Sequence, residues 1–189
     1  MYRTRIVALC AAVSLVVLST ATFTSSAYAE KTVEVGGAPM YPSKNIVQNA
    51  VKSKDHTTLV SAVKAAGLVD TLMSPGPFTV FAPVNKAFEK LPAGTVATLL
   101  KPENKAALTA VLTYHVVAGK LSAADLMSQV EAGGGKATLT TVQGEPLTVV
   151  EDGRKLEIID SKGDKSIVTI PDVNQSNGVI HVVDTVLLP

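Results

Sequence analysis

The spacing of apolar residues changes along the chain, and this change limits the folds that are possible. Before the glycines at 133–135, most apolar residues recur three or four positions apart, as on one face of a helix. After them, apolar and polar residues alternate or form short apolar runs, which is typical of β-strands. One β-type run, Phe78–Ala82, lies early, and we expect it to pair with the later strands. The pattern predicts a single α+β domain and argues against the βαβ alternation of a parallel-sheet enzyme.

Capping and turn residues set the expected ends of these elements. The helices are predicted to run from Ser43 past Val51, from Thr58 to Ala66 with Gly67 as the stop, over 68–73, from a cap at Asn85 through Leu91, from Pro102 to Tyr114, and from Ser122 to Val130. Asp152-Gly153 between two apolar runs predicts a tight hairpin. The final strand is expected over Val179 to Leu188.

The N-terminus carries the features of a secretory signal peptide. Arg3 and Arg5 precede an apolar run, and a polar stretch then leads to Ala27-Tyr28-Ala29. The two alanines are small residues at the positions that a signal peptidase recognises. We therefore expect residues 1–29 to be removed after Ala29, leaving 30–42 as a flexible lead-in and 43–189 as the folded domain. The short signal resembles a bacterial one, so the mature protein is expected to be periplasmic or secreted, without stable membrane insertion.

Charge and cysteine content exclude several function classes. Removing residues 1–29 takes away Arg3, Arg5 and the single cysteine, Cys10, and changes the formal net charge from +1 to −1. The mature chain thus lacks the basic surface of a nucleic-acid-binding protein. It also has no thiolate nucleophile and no cysteine ligands for zinc.

Histidines are the remaining candidates for chemistry, but their spacing is not that of a known site. His56, His115 and His181 lie too far apart in sequence to form a metal motif on one helix. Their neighbours predict that His115 and His181 are buried histidines with backbone partners, whereas His56 lies in a turn and is expected to be exposed. The sequence therefore predicts no catalytic residue, no metal site and no cofactor.

Three segments resemble the fasciclin-like (fasciclin I type) domain family. Residues 79–88, with the sequence TVFAPVNKAF, are similar to its first signature, and residues 178–189, with the sequence GVIHVVDTVLLP, are similar to its second. Between them, Tyr114-His115 lies among branched apolar residues, as in the family's tyrosine–histidine motif. The resemblance covers residues 43–189. The motif positions with a mainly structural interpretation are Thr79, Phe81, Pro83, Asn85, Phe88, Gly178, His181 and Asp184.

The resemblance implies a β-wedge or sandwich of about seven strands with helices packed along one side. It also implies a non-catalytic role in adhesion or matrix association, outside the cytoplasm. In animal members, the region around the tyrosine–histidine motif is linked to integrin binding. By similarity, the candidate interaction segment here comprises Leu112, Tyr114, His115, Val116 and Val117.

The leading hypothesis is an exported binding module for a protein or cell-surface ligand. A second hypothesis is a small-ligand-binding or enzymatic protein that uses a cleft near His115 or His181, and full burial of both imidazoles would argue against it. A third is a structural component of the cell envelope.

Overall fold

The computed structural model describes residues 31–153 and 155–189, and the predicted signal peptide lies outside these ranges. The helices are α1 (Ile46–Ala50), α2 (Thr57–Ala66), α3 (Val69–Met73), α4 (Asn85–Glu89), α5 (Thr95–Leu99), α6 (Lys105–Tyr114) and α7 (Ala123–Ala132). The strands are β1 (Val33–Val35), β2 (Ala38–Met40), β3 (Phe78–Pro83), β4 (Val116–Ala118), β5 (Lys136–Thr140), β6 (Pro146–Asp152), β7 (Lys155–Ile159), β8 (Lys165–Gln175) and β9 (Gly178–Val183). Single 3-10 turns, Lys54–His56 and Pro102–Asn104, precede α2 and α6.

Local chemistry explains several of these boundaries. Helix α2 ends at Gly67, which has φ 74° in the left-handed region that favours glycine at a helix C-terminus. Ser122 and Asp125 form a reciprocal capping box at the start of α7, as predicted. Helix α1 begins two residues later than expected, because Asn45 and Gln48 form its capping box and Ser43 is not the cap.

A seven-stranded sheet organises the described residues in the order β4-β3-β9-β8-β7-β6-β5. The early strand β3 pairs in parallel with β9, which confirms the expected link between the two halves of the chain. All the other neighbouring strands in this sheet run antiparallel. The sheet curls towards closure, since Val142 N–H donates to Val116 O at 2.7 Å beside an isolated bridge between Val117 and Thr141.

The two faces of the central strands pack into two different apolar clusters. Val80 and Ala82 face a cluster shared with α1, α2, α3 and α6, whereas Phe81 faces a cluster covered by α7. Because β3 and β9 are buried on both faces, their sequences are nearly continuous apolar runs and do not alternate between apolar and polar residues. The α+β class with helices packed on a seven-stranded sheet is therefore confirmed, and α7 lies against the second cluster.

The last strand and the lead-in differ from prediction. Strand β9 ends at Val183 and not near Leu188, because at Asp184 the side chain accepts the Ile167 N–H at 2.9 Å in place of a backbone carbonyl. Within the predicted flexible lead-in, β1 and β2 pair as a hairpin. Val35 and Met40 of this hairpin are both 2% exposed and belong to the helix-side cluster.

Candidate functional site

The tyrosine–histidine segment lies where α6 passes into β4. The Tyr114 hydroxyl donates to Pro146 O at 3.0 Å and accepts from Ser161 N–H at 3.0 Å, so it fastens α6 to the start of β6 and to the loop after β7. Burial raises the pKa of Tyr114, which keeps the hydroxyl protonated and able to donate. Both of its hydrogen bonds are to backbone groups.

His115 is fully enclosed and uses both ring nitrogens. Its Nδ1 lies 2.7 Å from Val111 O, and its Nε2 lies 3.0 Å from Leu187 N. A carbonyl accepts and an amide N–H donates, so the proton is assigned to Nδ1 and the ring is neutral. Burial lowers the pKa of His115 to about 4, against smaller opposing effects of the Val111 carbonyl and Asp160.

His181 is fully buried in β9 and is also bonded to backbone. Its Nε2 lies 2.9 Å from Leu121 O, its Nδ1 accepts from Asp172 N–H at 3.3 Å, and its ring stacks on Phe81 at 5.7 Å between centroids. Burial lowers the pKa of His181 and so favours the neutral ring. Both histidines thus match the predicted buried, backbone-bonded state.

This burial argues against an enzymatic role of His115 or His181, the catalytic form of the second hypothesis. The exposed fractions of the two residues are 3% and 0%, and their nitrogens are already engaged. A substrate would have to break existing hydrogen bonds to reach either ring, so the structure does not support an active site on them.

His56 contradicts the prediction that it is exposed. It is 2% exposed, because the hairpin of β1 and β2 packs beside its turn, where Lys54 N–H donates to Gly36 O at 3.2 Å. The Nδ1 of His56 lies 2.9 Å from Ser53 Oγ. Burial lowers its pKa, against smaller opposing effects of the Ala82 backbone and Asp55.

The five residues of the candidate interaction segment are all buried. Their exposed fractions are Leu112 6%, Tyr114 0%, His115 3%, Val116 7% and Val117 4%. In the folded chain these side chains form core, so a partner can reach this region only through the residues around it. The contact role of the segment stays a prediction, and any direct contact would have to be made by the exposed residues around it.

Exposed groups do lie next to that segment. Ala118 and Lys120 follow it along the chain and are exposed. Val142, which is bonded through its N–H to Val116 O, is 47% exposed and is one of a few large apolar side chains at the described surface. Val142 lies beside the start of β4, and Ala118 and Lys120 lie at its end and just beyond it.

Most of the family-motif residues hold segments of the chain together. Thr79 Oγ1 donates to Gly119 O at 2.7 Å and accepts from Leu121 N–H at 2.9 Å, which fixes the loop after β4. Phe88 packs between two apolar clusters, Pro83 ends β3, and a Cβ on Gly178 would lie 2.0 Å from Phe78 O. These contacts support the structural interpretation of the motifs.

Asn85 is a capping residue, but of a different helix from the predicted one. Its Oδ1 accepts from Thr58 N–H at 3.0 Å at the start of α2, whereas α4, which begins at Asn85 itself, has no side-chain cap. Its Nδ2 also donates to Lys54 O at 2.8 Å. The amide therefore joins α4 to the turn before α2.

Asp184 is held by backbone and by a lysine. Burial would raise its pKa, but hydrogen bonds from Ile167 N–H and Thr185 and the ion pair with Lys90 at 3.3 Å lower it. The carboxylate is therefore charged at neutral pH. Across residues 31–153 and 155–189, no three His, Cys, Asp or Glu side chains are grouped so that they could hold a metal ion.

An apolar cavity of about 70 Å³ lies between the first three helices and the sheet. Its lining comes mainly from aliphatic residues of α1, α2, α3, β3 and β9, and both His56 and His115 border it. This cavity was not predictable from the sequence, because its walls are made of the same kinds of residue that fill a core. Within the described ranges, none of the helices has the length and apolar character needed to cross a membrane.

Comparisons with known proteins agree with the fold. A family model described as "Fasciclin domain" matches residues 54–189. The chain is 48% identical over 161 residues to protein sll1483 of Synechocystis sp., covering 85% of this chain and 82% of that protein. It is 38% identical over 145 residues to the immunogenic protein MPT70 of Mycobacterium tuberculosis, covering 74% and 66% of the two chains.

A further relative and a solved structure extend these comparisons. The cell surface glycolipoprotein MPT83 of Mycobacterium tuberculosis is 37% identical over 138 residues, which cover 70% of this chain and 55% of that protein. A FAS1 domain pair from the insect cell adhesion molecule Fasciclin I superposes with a TM-score of 0.70 at 23% identity. That match covers 79% of this chain and 52% of the pair, so the chain spans about half of the pair's length, and it shows a shared fold.

Proposed function

The chain belongs to the fasciclin domain family, and from this premise we propose that it is an exported, non-catalytic binding module that mediates cell-surface adhesion or protein–protein interaction. Its partner would be a protein or another cell-surface ligand, met in the periplasm or outside the cell. The near-neutral mature chain favours recognition through a local surface over attraction by net charge.

One observation carries this proposal: the polar groups of the family motifs are bonded to this chain's own backbone. Both nitrogens of His115 and of His181, the hydroxyl of Thr79 and the amide of Asn85 are engaged in this way. A general acid or base must be within reach of a substrate proton, and these groups are not. A protein or cell-surface ligand would therefore meet other groups, at the surface of the fold.

The surface along β4 is the proposed contact site. We define it as Ala118, Lys120 and Val142, which are exposed and adjoin the buried segment 112–117. Val142 supplies an exposed apolar side chain there, and the buried centre of a protein contact site is more apolar than its rim. The name of MPT83 places that relative at a cell surface, which supports the same kind of location here.

A matched pair of valines tests the proposal. Val142 and Val51 are 47% and 51% exposed, and only Val142 belongs to the contact site. Surfaces coated with the purified protein would be scored for attachment of cells of the source organism. Val142→Ser is expected to weaken attachment about fivefold, as for a moderately important interface residue, whereas Val51→Ser leaves it unchanged.

Melting temperature is measured for both variants, because a contact residue should change attachment without changing stability. Equal attachment by both variants would place the contact elsewhere. If the wild-type protein attaches nothing, and a pull-down from the native envelope recovers no partner, the protein is better described as a structural envelope component.

A further inference from the structure

His56 carries a buried polar atom that the described part of the chain does not satisfy. Its Nδ1 is 2.9 Å from Ser53 Oγ, but its Nε2 has no hydrogen-bond partner. A backbone hydrogen-bonding effect of Ala82 raises the pKa of the ring, but its geometry is too poor to satisfy Nε2. A buried polar group left in this way is costly and rare in native proteins, so it calls for a specific explanation.

The cavity described above lies beside this ring. His56 borders it together with apolar residues such as Ile46, Leu59 and Val182. The cavity of about 70 Å³ is lined by residues of ten helices and strands, and most of these residues are apolar. Its lining therefore suits a hydrocarbon chain.

The polar groups around the cavity do not suit a cluster of water. An ordered buried water needs two to four polar partners. Both nitrogens of His115 are engaged, and Thr113 Oγ1 donates to Thr109 O at 2.8 Å. Among the described buried side chains that line the cavity, His56 is thus the one with a polar atom that lacks a hydrogen-bond partner. It could offer a water molecule one hydrogen bond, whereas an ordered buried water needs at least two.

The cavity also reaches the surface. Lys64 and Val142 border it, and both are exposed, with Val142 at 47%. Val142 therefore borders the cavity as well as belonging to the contact site defined above.

We propose that this cavity binds a linear aliphatic molecule with one terminal hydroxyl group, which bonds to Nε2 of His56 while its hydrocarbon chain occupies the rest. The Ser53 hydroxyl can donate to Nδ1 or accept from it, so Nε2 can be either a donor or an acceptor. A hydroxyl group complements both states of Nε2. This proposal does not rest on the surface contact proposed above, although Val142 borders both sites.

The first experiment compares 1-hexanol with 1-chlorohexane, which has the same chain but a poor hydrogen-bonding group. Affinities for the purified protein are measured by NMR titration of backbone amides, for the wild type and for His56→Leu. The wild-type preference for the alcohol over the chloride is expected to fall about tenfold in His56→Leu, the usual effect of losing one buried hydrogen bond. An unchanged ratio would show that Nε2 does not bind the hydroxyl and would overturn the proposal.

A second pair of variants keeps the test decisive if His56→Leu does not fold. Ala50 of α1 and Ala110 of α6 are both half-buried helical alanines, and only Ala50 borders the cavity. Ala50→Leu should fill the cavity and reduce 1-hexanol affinity at least fivefold, whereas Ala110→Leu should retain it. Equal binding by both variants, or amide shifts confined to residues away from the cavity, would mean that the alcohol binds elsewhere.

Discussion

The Nε2 atom of His115 accepts a hydrogen bond from the backbone N–H of Leu187 at 3.0 Å, across 72 positions of sequence. Through this bond the end of α6 holds the C-terminal segment against the core, where Leu187 is fully buried. The bond requires an unprotonated Nε2, because an imidazolium can only donate. The docking of the C-terminus is therefore coupled to the protonation state of one buried ring.

The first prediction is a loss of stability in mild acid. The pKa of His115 is about 4 in the folded protein and about 6.5 in the unfolded chain, so the unfolded state binds more protons below pH 6.5. The contribution of this group is complete above pH 6.5, falls as the pH drops towards 4, and changes no further below that. Denaturant unfolding between pH 7.5 and 4 should show a loss of about 3 kcal/mol from this residue.

The control is His115→Gln, which cannot titrate in this range. This variant will be less stable at neutral pH, but its free energy of unfolding should depend less steeply on pH between 6.5 and 4. The lowered pKa values of His56 and His181 act in the same direction, so some pH dependence will remain. An unchanged slope in His115→Gln would show that its ring does not titrate as described.

The second prediction concerns the cap that Asn85 supplies to α2. Asn85→Ala removes the acceptor of the Thr58 N–H and should cost about 1 kcal/mol, the usual cost of losing an N-cap side chain. Hydrogen exchange should accelerate at the Thr58 amide and not within α4. Lys86→Ala, at the adjacent exposed position of α4, is the control and should change neither quantity.

These capping contacts illustrate what the sequence could and could not predict. The capping box of Ser122 and Asp125, the stop at Gly67 and the hairpin at Asp152-Gly153 all rest on interactions within a few residues, and local pattern predicts such features. The chemistry of Asn85 was identified correctly, but its partner lies 27 positions away. Only the packing of α4 beside α2 determines which helix is capped.

His56 was mispredicted for a related reason. A histidine flanked by Asp55 and Thr57 has the sequence environment of an exposed turn, and its burial comes from the hairpin of β1 and β2. That hairpin was interpreted as flexible because of Gly36-Gly37. The two glycines have φ values of 60° and 71°, and a tight turn needs this conformation. A pair of glycines is compatible with a flexible segment and with a tight turn, so the local sequence does not distinguish the two. The apolar residues on which Val35 and Met40 pack are distant in sequence, so this packing was not visible in the local pattern either.

The third prediction is the site of signal cleavage. If residues 1–29 direct export, the protein recovered from the periplasm or medium of a bacterial host should begin at Glu30 by N-terminal sequencing and intact mass. Ala29→Lys places a long charged side chain where the peptidase requires a small residue, and it should accumulate uncleaved precursor. Ala11→Ser, within the apolar run, is the control and should be processed normally. Full-length wild-type protein outside the cytoplasm would contradict the prediction.

The fourth prediction concerns Gly178, where β9 begins beside β3. A Cβ at this position would lie 2.0 Å from Phe78 O and 3.0 Å from Phe78 N, and these backbone atoms cannot move without disturbing the parallel pairing. Gly178→Ala should therefore cost about 3 kcal/mol, at the upper end of the usual range for overpacking. Thermal and denaturant unfolding of the purified variant would measure this loss.

Gly37→Ala is the matched control, because a Cβ there meets no atom within 4 Å and only its φ of 71° is unfavourable. Its cost should be about 1 kcal/mol, from backbone strain without a clash. Gly178 has no positive φ, so a large difference between the two variants would isolate the effect of the close strand approach. If Gly178→Ala were as mild as Gly37→Ala, β3 and β9 would have to separate easily. The early strand could then not be the rigid link between the helical half of the chain and the sheet.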